Sequence, residues 1–516
     1  MSSAAGYVTD VAYVPGFYPN LAPSAIRYVA SLNRVAPPKV DHGFNYLELG
    51  CGLGRSLTTL AAANPMGQFV GVDINPEHTA LVQKDIDRGA LKNARIVTAD
   101  FAHLPNDLPT FDFIAMHGVL SWVAPAVREQ CIAVVKERLA PGGLFLVSYN
   151  AMPGWAHLQP IRGILRQYAV LRQGDSVSRM REGLQYLVFI RDKHAKYFED
   201  NPRAAAYVDG LLKQDVRYLV HEYLNEHWTS FYFAEVASMF RGADLSFAGS
   251  LPVHTNFWDL CVRPEFQELF RTTQDRLVTE AHKDFCANTA FRWDIFVKSP
   301  RLTPDIRSRV EAMDDLFFSV TRPGTTLPFQ TNLGVVTSTV QGPIYQTLLE
   351  TLGSGSMRMS EILATPKLSS APKEELARAV DAGVAMGLFD FSSGPISDQT
   401  YDASKPLVIG CAFNSQLLKN ESLSGRALAL ASTLTGTGYT IGDFDASILD
   451  ELVQRGHDQL ADRVDARLVS SGRSLQEEEK PVTDVARRSQ LVKDACDRFR
   501  TTALPQLFKL GIVTNA

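Results

Sequence analysis

Asn45-Tyr46-Leu47-Glu48-Leu49-Gly50-Cys51-Gly52-Leu53-Gly54 decides the fold. An apolar run ends beside an acid and three alternating glycines; a helical pattern follows over Ser56 to Ala63, then a second apolar run from Gln68 to Asp73. This change of period predicts a β-α-β unit. Glycines at a strand-to-helix turn supply backbone angles that side chains forbid and let a ligand approach the chain closely. The helix behind them offers unpaired N–H groups. The turn is therefore a candidate cofactor loop.

Outward from this unit the rhythm repeats: a helix over 76–89, strands over 94–99 and 111–117, a helix over 125–140 and a strand over 143–148. Strands alternating with helices imply a parallel sheet wound by right-handed crossovers. After Trp155 the pattern is helical, as in Ile161, Leu165, Tyr168 and then Val208, Leu211, Leu212, Leu219, Tyr223, which predicts a helical insertion over 156–228. A helix over 233–241 and strands over 245–251 and 291–298 are expected to complete the same sheet. The expected fold class is α/β: a Rossmann-like seven-stranded domain over 45–300, preceded by a lid segment, 1–44. A small winged-helix-like module over 301–392 and a C-terminal α+β domain over 405–516 follow.

The chain's 516 residues suit about three domains. Its 45% apolar content is ample for several cores and excludes a disordered chain. A formal net charge of −5 argues against nucleic-acid or acidic-membrane partners. Cys51, Cys131, Cys261, Cys286, Cys411 and Cys496 form no Cys-x-x-Cys pair. The N-terminus lacks a basic start with an unbroken apolar stretch, and no run reaches the roughly 18 apolar residues of a membrane helix. A cytoplasmic protein in a reducing compartment is expected.

The spacing Gly-x-Gly-x-Gly after an acid differs from the Gly-x-Gly-x-x-Gly of dinucleotide folds. Glu48 would repel a diphosphate but supports a cation, and S-adenosylmethionine carries both a sulfonium and an amino group. Asp73, with Ile74 beside it, closes the second strand, where a carboxylate can accept both ribose hydroxyls; Asp100, beside Phe101, closes the third, where it can accept from an adenine amino group. Taken singly, Gly50, Gly52 and Gly54 could make a tight turn and the two aspartates could cap helices. Together with Cys51 in the loop, three acids at three successive strand ends line one crevice.

On these positions residues 45–150 resemble a class I S-adenosylmethionine-dependent methyltransferase. The resemblance narrows with His117-Gly118-Val119-Leu120-Ser121-Trp122-Val123, Ser148-Tyr149-Asn150-Ala151-Met152-Pro153-Gly154-Trp155, and His221-Glu222-Tyr223-Leu224-Asn225-Glu226-His227-Trp228. These are similar to bacterial methyltransferases with a regulatory domain, here over 215–300, a group that includes the rickettsial protein-lysine methyltransferases. The resemblance implies S-adenosylmethionine as cofactor, N- rather than O-methylation, and a lysine-bearing protein as substrate. Two positions depart from the pattern: His117-Gly118 replaces the Asn-Pro-Pro-Tyr type of motif, and Leu21-Ala22-Pro23 stands where Thr-His-Pro is expected.

Methyl transfer from a sulfonium needs positioning and desolvation more than acid-base machinery. A lysine amine, with a reference pKa of about 10.4, must first lose a proton, which a dry aromatic pocket favours. Candidates for its walls are His117, also at the cofactor edge, and Trp122, Tyr149, Asn150 and Trp155, with Tyr13, Phe17 and Tyr18 as a lid. His117 and Tyr149 are expected to orient the acceptor; the alternatives are a histidine fixing its loop and aromatics packing in the core. No metal site is expected, because His221 and His227 are six apart and so about 240° around a helix. Glu222, Tyr223, Asn225 and Trp228 are expected to hold the insertion in place. The third helix of the middle module, with Glu374, Glu375 and Asp381 against Lys373 and Arg378, offers no basic recognition face. Protein contact or homodimerisation suits it better. A small-metabolite methyltransferase and a non-catalytic S-adenosylmethionine-sensing adaptor are the competing functions.

Overall fold

In the computed structural model, residues 3–4, 6–8, 10–11, 15–322, 324–353, 355–396, 401–477 and 480–516 are described. A seven-stranded sheet organises the first three hundred residues. Its strands are β1 (Phe44–Leu49), β2 (Gly67–Asp73), β3 (Ala94–Thr98), β4 (Phe111–Met116), β5 (Leu139–Asn150), β6 (Leu245–Leu251) and β7 (Phe291–Lys298). They lie in the order β3-β2-β1-β4-β5-β7-β6. The first five are mutually parallel, and β7 runs antiparallel to both neighbours.

Alternation along these strands divides the apolar residues between two cores. Leu47, Leu49, Val70, Val72, Ile114, Met116, Phe145 and Val147 pack on one face. Tyr46, Phe69, Phe113, Ala115, Leu144, Leu146 and Ile295 pack on the other. Helices Arg55–Ala63, Pro76–Arg88 and Pro125–Arg138 are the crossovers. The fifth strand starts at Leu139, earlier than its expected start at 143, because Leu139 pairs with Phe111 ahead of a register shift.

The insertion is a separate cluster of helices, Gln159–Val170, Ser176–Asp192, Lys196–Asp200, Pro202–Leu211 and Val216–Tyr223, closed around residues such as Ile161, Leu165, Leu187, Val208 and Leu219. Asp175 and Asp215 cap two of them, accepting from Ser178 N–H and Arg217 N–H. The N-terminal segment straps this cluster. Val8 N–H donates to Asn225 Oδ1, Glu226 N–H to Gly6 O, and Ser176 N–H and Oγ to the Asp10 carboxylate.

In the middle module, strand Phe317–Val320 lies between Ser356–Arg358 and Phe389–Ser392, under helices Pro343–Leu352, Met359–Leu363 and Lys373–Ala385. Asp381, unlike Glu374 and Glu375, does not lie on an exposed face. It is buried, takes both Arg309 Nη atoms at 2.6 and 2.8 Å and the Tyr28 hydroxyl at 2.8 Å, and so joins the module to the first domain. The C-terminal domain mixes helices with two-stranded sheets. Its hairpin Leu428–Ser432 and Thr437–Ile441 rests on helix Arg55–Ala63, where Asn64 Nδ2 donates to Gly436 O at 2.8 Å. Among the described residues no helix is long and apolar enough to cross a membrane.

Candidate active site

A cavity of about 820 Å³ opens where β1, β2, β3, β4 and β5 end, with β7 on one side and the helical insertion above. Its cofactor-loop end is shaped by backbone. Gly50, Gly52 and Gly54 all adopt left-handed φ values, 73°, 53° and 62°. A Cβ on Gly54 would stand 2.6 Å from Val82, so this glycine is required for helix Pro76–Arg88 to pack against the loop. One on Gly52 would meet nothing within 4 Å, which leaves an open cradle facing the cavity.

Asp73 is fixed at the edge of this cradle. Its Oδ2 accepts from Gly52 N–H and its Oδ1 from Asn75 N–H, each at 2.9 Å. A carboxylate oxygen has two lone pairs, so each retains acceptor capacity toward the cavity. His78, buried beside Asp73, has neither ring nitrogen hydrogen-bonded. Asp100 is more exposed; its carboxylate accepts from Ala102 N–H at 2.9 Å and faces His103 Nδ1 at 2.8 Å. The His103 bond is the main reason its pKa lies below the ordinary carboxylate value. Ile74, Phe101 and Cys51 complete this end of the lining.

Glu48 is buried, and its Oε2 has no hydrogen-bond partner. Burial, and then the neighbouring Asp73 charge, raise its pKa to about 8. The side chain expected as a carboxylate is thus held protonated near neutral pH, and a cation placed beside it would reverse that preference. An open glycine cradle, an aspartate with free lone pairs and an orphaned buried acid fit a ligand that carries hydroxyls and a positive charge.

The opposite end is aromatic. His117 stacks on Trp293, with ring centroids 4.2 Å apart and an angle of 16°, and meets Tyr18 edge-on at 4.0 Å. Its Nδ1 lies 2.7 Å from Ser148 Oγ, which also accepts from Gly118 N–H at 3.1 Å. Burial lowers the His117 pKa to about 3, so the imidazole is neutral. Trp122 and Asn150 line the cavity with Nε1 and Nδ2 unpartnered, and Trp155 lines it beside Tyr207 and Tyr223.

Tyr149 does not join them, contrary to expectation. It is fully buried on the other face of β5, and its hydroxyl donates to Asp294 Oδ2 at 2.5 Å. Strand register is the reason. Tyr149 pairs with Arg292, whereas Ser148 and Asn150 pair with Trp293 and Phe291 on the cavity face. Phe17 is likewise elsewhere, its ring set against the backbone at Gly438 of the C-terminal hairpin. Tyr13 lies outside the described residues. Tyr18 is in the lining, held by its N–H donating to Ser56 Oγ at 3.1 Å.

Glu222, Tyr223 and Asn225, read from the sequence as residues that secure the insertion, also line the cavity. His221 Nε2 lies 2.9 Å from Val11 O, and among the described residues no group of three or more His, Cys, Asp or Glu could hold a metal ion. Sequence reading missed Phe291, Trp293, His78, Tyr207 and Tyr218. Two aromatics separated by one residue at the start of β7 were the available signal for the first two. Four acids line the cavity, Glu48, Asp73, Asp100 and Glu222, while Arg55 turns its guanidinium to Glu421 and Asp85.

Comparison with known proteins agrees with this geometry. Residues 47–143 match the family described as "Methyltransferase domain", and residues 215–298 match "Predicted methyltransferase regulatory domain". An uncharacterized protein of Synechocystis sp. is 29% identical over 508 residues, covering 98% of this chain and 99% of its own. An uncharacterized protein of Rickettsia prowazekii is 30% identical over 292 residues, covering 55% of this chain and 51% of its own. The structure of PKMT2 from Rickettsia typhi in complex with AdoHcy superposes with a TM-score of 0.71 at 19% identity, covering 97% of this chain and 99% of that one. The two share their fold from end to end.

Proposed function

We propose that this chain, an S-adenosylmethionine-dependent methyltransferase by class, methylates lysine side chains of a protein substrate. The observation that carries the reading is the cavity itself. One end offers a glycine cradle and acids suited to a cationic nucleoside, and the other is aromatic and acidic, suited to an amine. The sequence resemblance to the rickettsial protein-lysine methyltransferases and the end-to-end likeness to PKMT2 support the same reading.

When bound, S-adenosylmethionine supplies an electrophilic methyl group, which an amine lone pair takes as the carbon–sulfur bond pair leaves with sulfur. The chain's residues do the rest. Asp73 would accept from ribose hydroxyls, Asp100 would accept from the adenine amino group, and Glu48, once ionised, would face the positive charge. His117, Trp122 and Asn150 border the transfer point. A neutral His117 held by Ser148 adds no competing cation, and the stacked rings exclude water, which favours the uncharged amine.

The test is transfer from methyl-labelled S-adenosylmethionine to proteins of a bacterial lysate, followed by mapping of the labelled residues. Label on lysine side chains is the expected result. Label confined to small molecules, or placed on oxygen, overturns the reading.

A further inference from the structure

The insertion supplies chemistry to the cavity as well as its roof. Helix Val216–Tyr223 carries Tyr218 and Glu222 at i and i+4, one above the other on the face that lines the cavity. Tyr207, from helix Pro202–Leu211, shares a hydroxyl–hydroxyl hydrogen bond with Tyr223. Tyr18 comes from the N-terminal segment, backed by His117 and Trp293. Four phenols from three segments thus surround one carboxylate. Burial is the foremost cause holding the hydroxyls of Tyr18, Tyr207, Tyr218 and Tyr223 above the ordinary tyrosine value, and the Glu222 charge adds to each.

We propose that Glu222, ringed by Tyr18, Tyr207, Tyr218 and Tyr223, is the docking point for the acceptor as a cation, the alkylammonium group of a lysine side chain. The proposal deepens the lysine reading and rests on it. A carboxylate on an aromatic wall of the cavity pairs with a bound cation by charge-assisted hydrogen bonds. Tyrosine faces attract the same cation through their quadrupoles. Position separates this acid from the others: Glu48 and Asp73 stand at the glycine turn and Asp100 at the end of β3, whereas Glu222 belongs to the insertion that roofs the aromatic end. Before transfer the docked ammonium gives up its proton to water, so that the nitrogen lone pair is free for the methyl carbon.

Poly-L-lysine serves as the probe, with the full chain and its Glu222→Gln variant. Glu222→Gln is expected to raise KM for poly-L-lysine by tenfold or more, while S-adenosylhomocysteine affinity by calorimetry stays within twofold. n-Butylammonium, which carries the same headgroup, is expected to perturb the tryptophan fluorescence of the wild type but not of the variant. Glu222→Asp should restore part of the binding. A variant with wild-type KM and an unchanged butylammonium response overturns the docking role and leaves the lysine reading standing. Equal loss of S-adenosylhomocysteine affinity also overturns it, by moving Glu222 to the cofactor side. Wild-type protein that labels neither poly-L-lysine nor lysate lysines overturns the lysine reading itself.

Discussion

Strand β7 has two faces with opposite fates. Arg292 and Asp294 point into a sealed ionic cluster: Arg292 binds Glu280, Asp284 and Asp294 at 2.7 to 2.9 Å, Ser250 Oγ donates to Asp294, and Tyr149 closes it from β5. Phe291 and Trp293, one residue to either side, point into the cavity, where Glu48 Oε2, Trp122 Nε1, Asn150 Nδ2 and both nitrogens of His78 lack hydrogen-bond partners. On the first face each charge meets an opposite charge, so the cluster is architecture. On the second, polar atoms are buried and unmet, and a ligand is what such atoms await. Strand alternation alone separates the two.

The largest test of this contrast is on the sealed face. Arg292→Met leaves three carboxylates around a lost guanidinium and should cost about 3–5 kcal/mol of unfolding free energy in urea titration; a cost under about 1 kcal/mol would mean the cluster is solvated. On the open face, Asp73→Ala should weaken S-adenosylhomocysteine binding by about 1.5–3 kcal/mol, or roughly 10- to 150-fold by calorimetry, and cost about 1–3 kcal/mol of stability because the Gly52 and Asn75 N–H groups lose their acceptor. Tyr149→Phe should cost about 1–3 kcal/mol of stability and leave cofactor affinity and turnover intact. Lower turnover at unchanged stability would place Tyr149 on the wrong side of the comparison.

A further effect is one of pH. Folding raises the Glu48 pKa from the ordinary 4.5 to about 8. Within that window the folded protein keeps a proton that the unfolded chain releases. Its contribution to stability is therefore full below pH 4.5 and is lost as pH rises through 8. Glu48→Gln should flatten this slope in thermal melts from pH 5 to 8.5. Binding of the sulfonium should strengthen with pH, by at most about tenfold per unit below pH 8, because ionised Glu48 is the form that favours a cation. The uncharged thioether of S-adenosylhomocysteine should show a shallower dependence, and equal slopes for the two ligands would remove Glu48 from the positive charge.

Much of the fold could be read from the chain alone. All seven strands fall where apolar runs predict them, and the crossover helices match to within two residues, because buried parallel strands and amphipathic helices leave strong periods in sequence. The cofactor end of the cavity was equally legible, since Gly50, Gly52, Gly54, Asp73 and Asp100 sit at strand ends that the pattern itself locates. The aromatic end was not. His117, Trp122 and Asn150 do line the cavity, but Tyr149, expected there, does not, and Phe291, Trp293, Tyr207 and Tyr218 were overlooked. An aromatic in a core and an aromatic in a pocket have the same local signature.

The order of residues by itself determined the doubly wound sheet, the glycine turn and the acids at three successive strand ends, because those depend on contacts and conformations within a few residues of one another. Only the tertiary structure decided which face of β5 and β7 meets the cavity, that Asp381 is a buried joint, and that Glu222 stands among four tyrosines. Those outcomes depend on antiparallel register between strands some 140 residues apart and on how an inserted helical cluster packs, neither of which any local window contains.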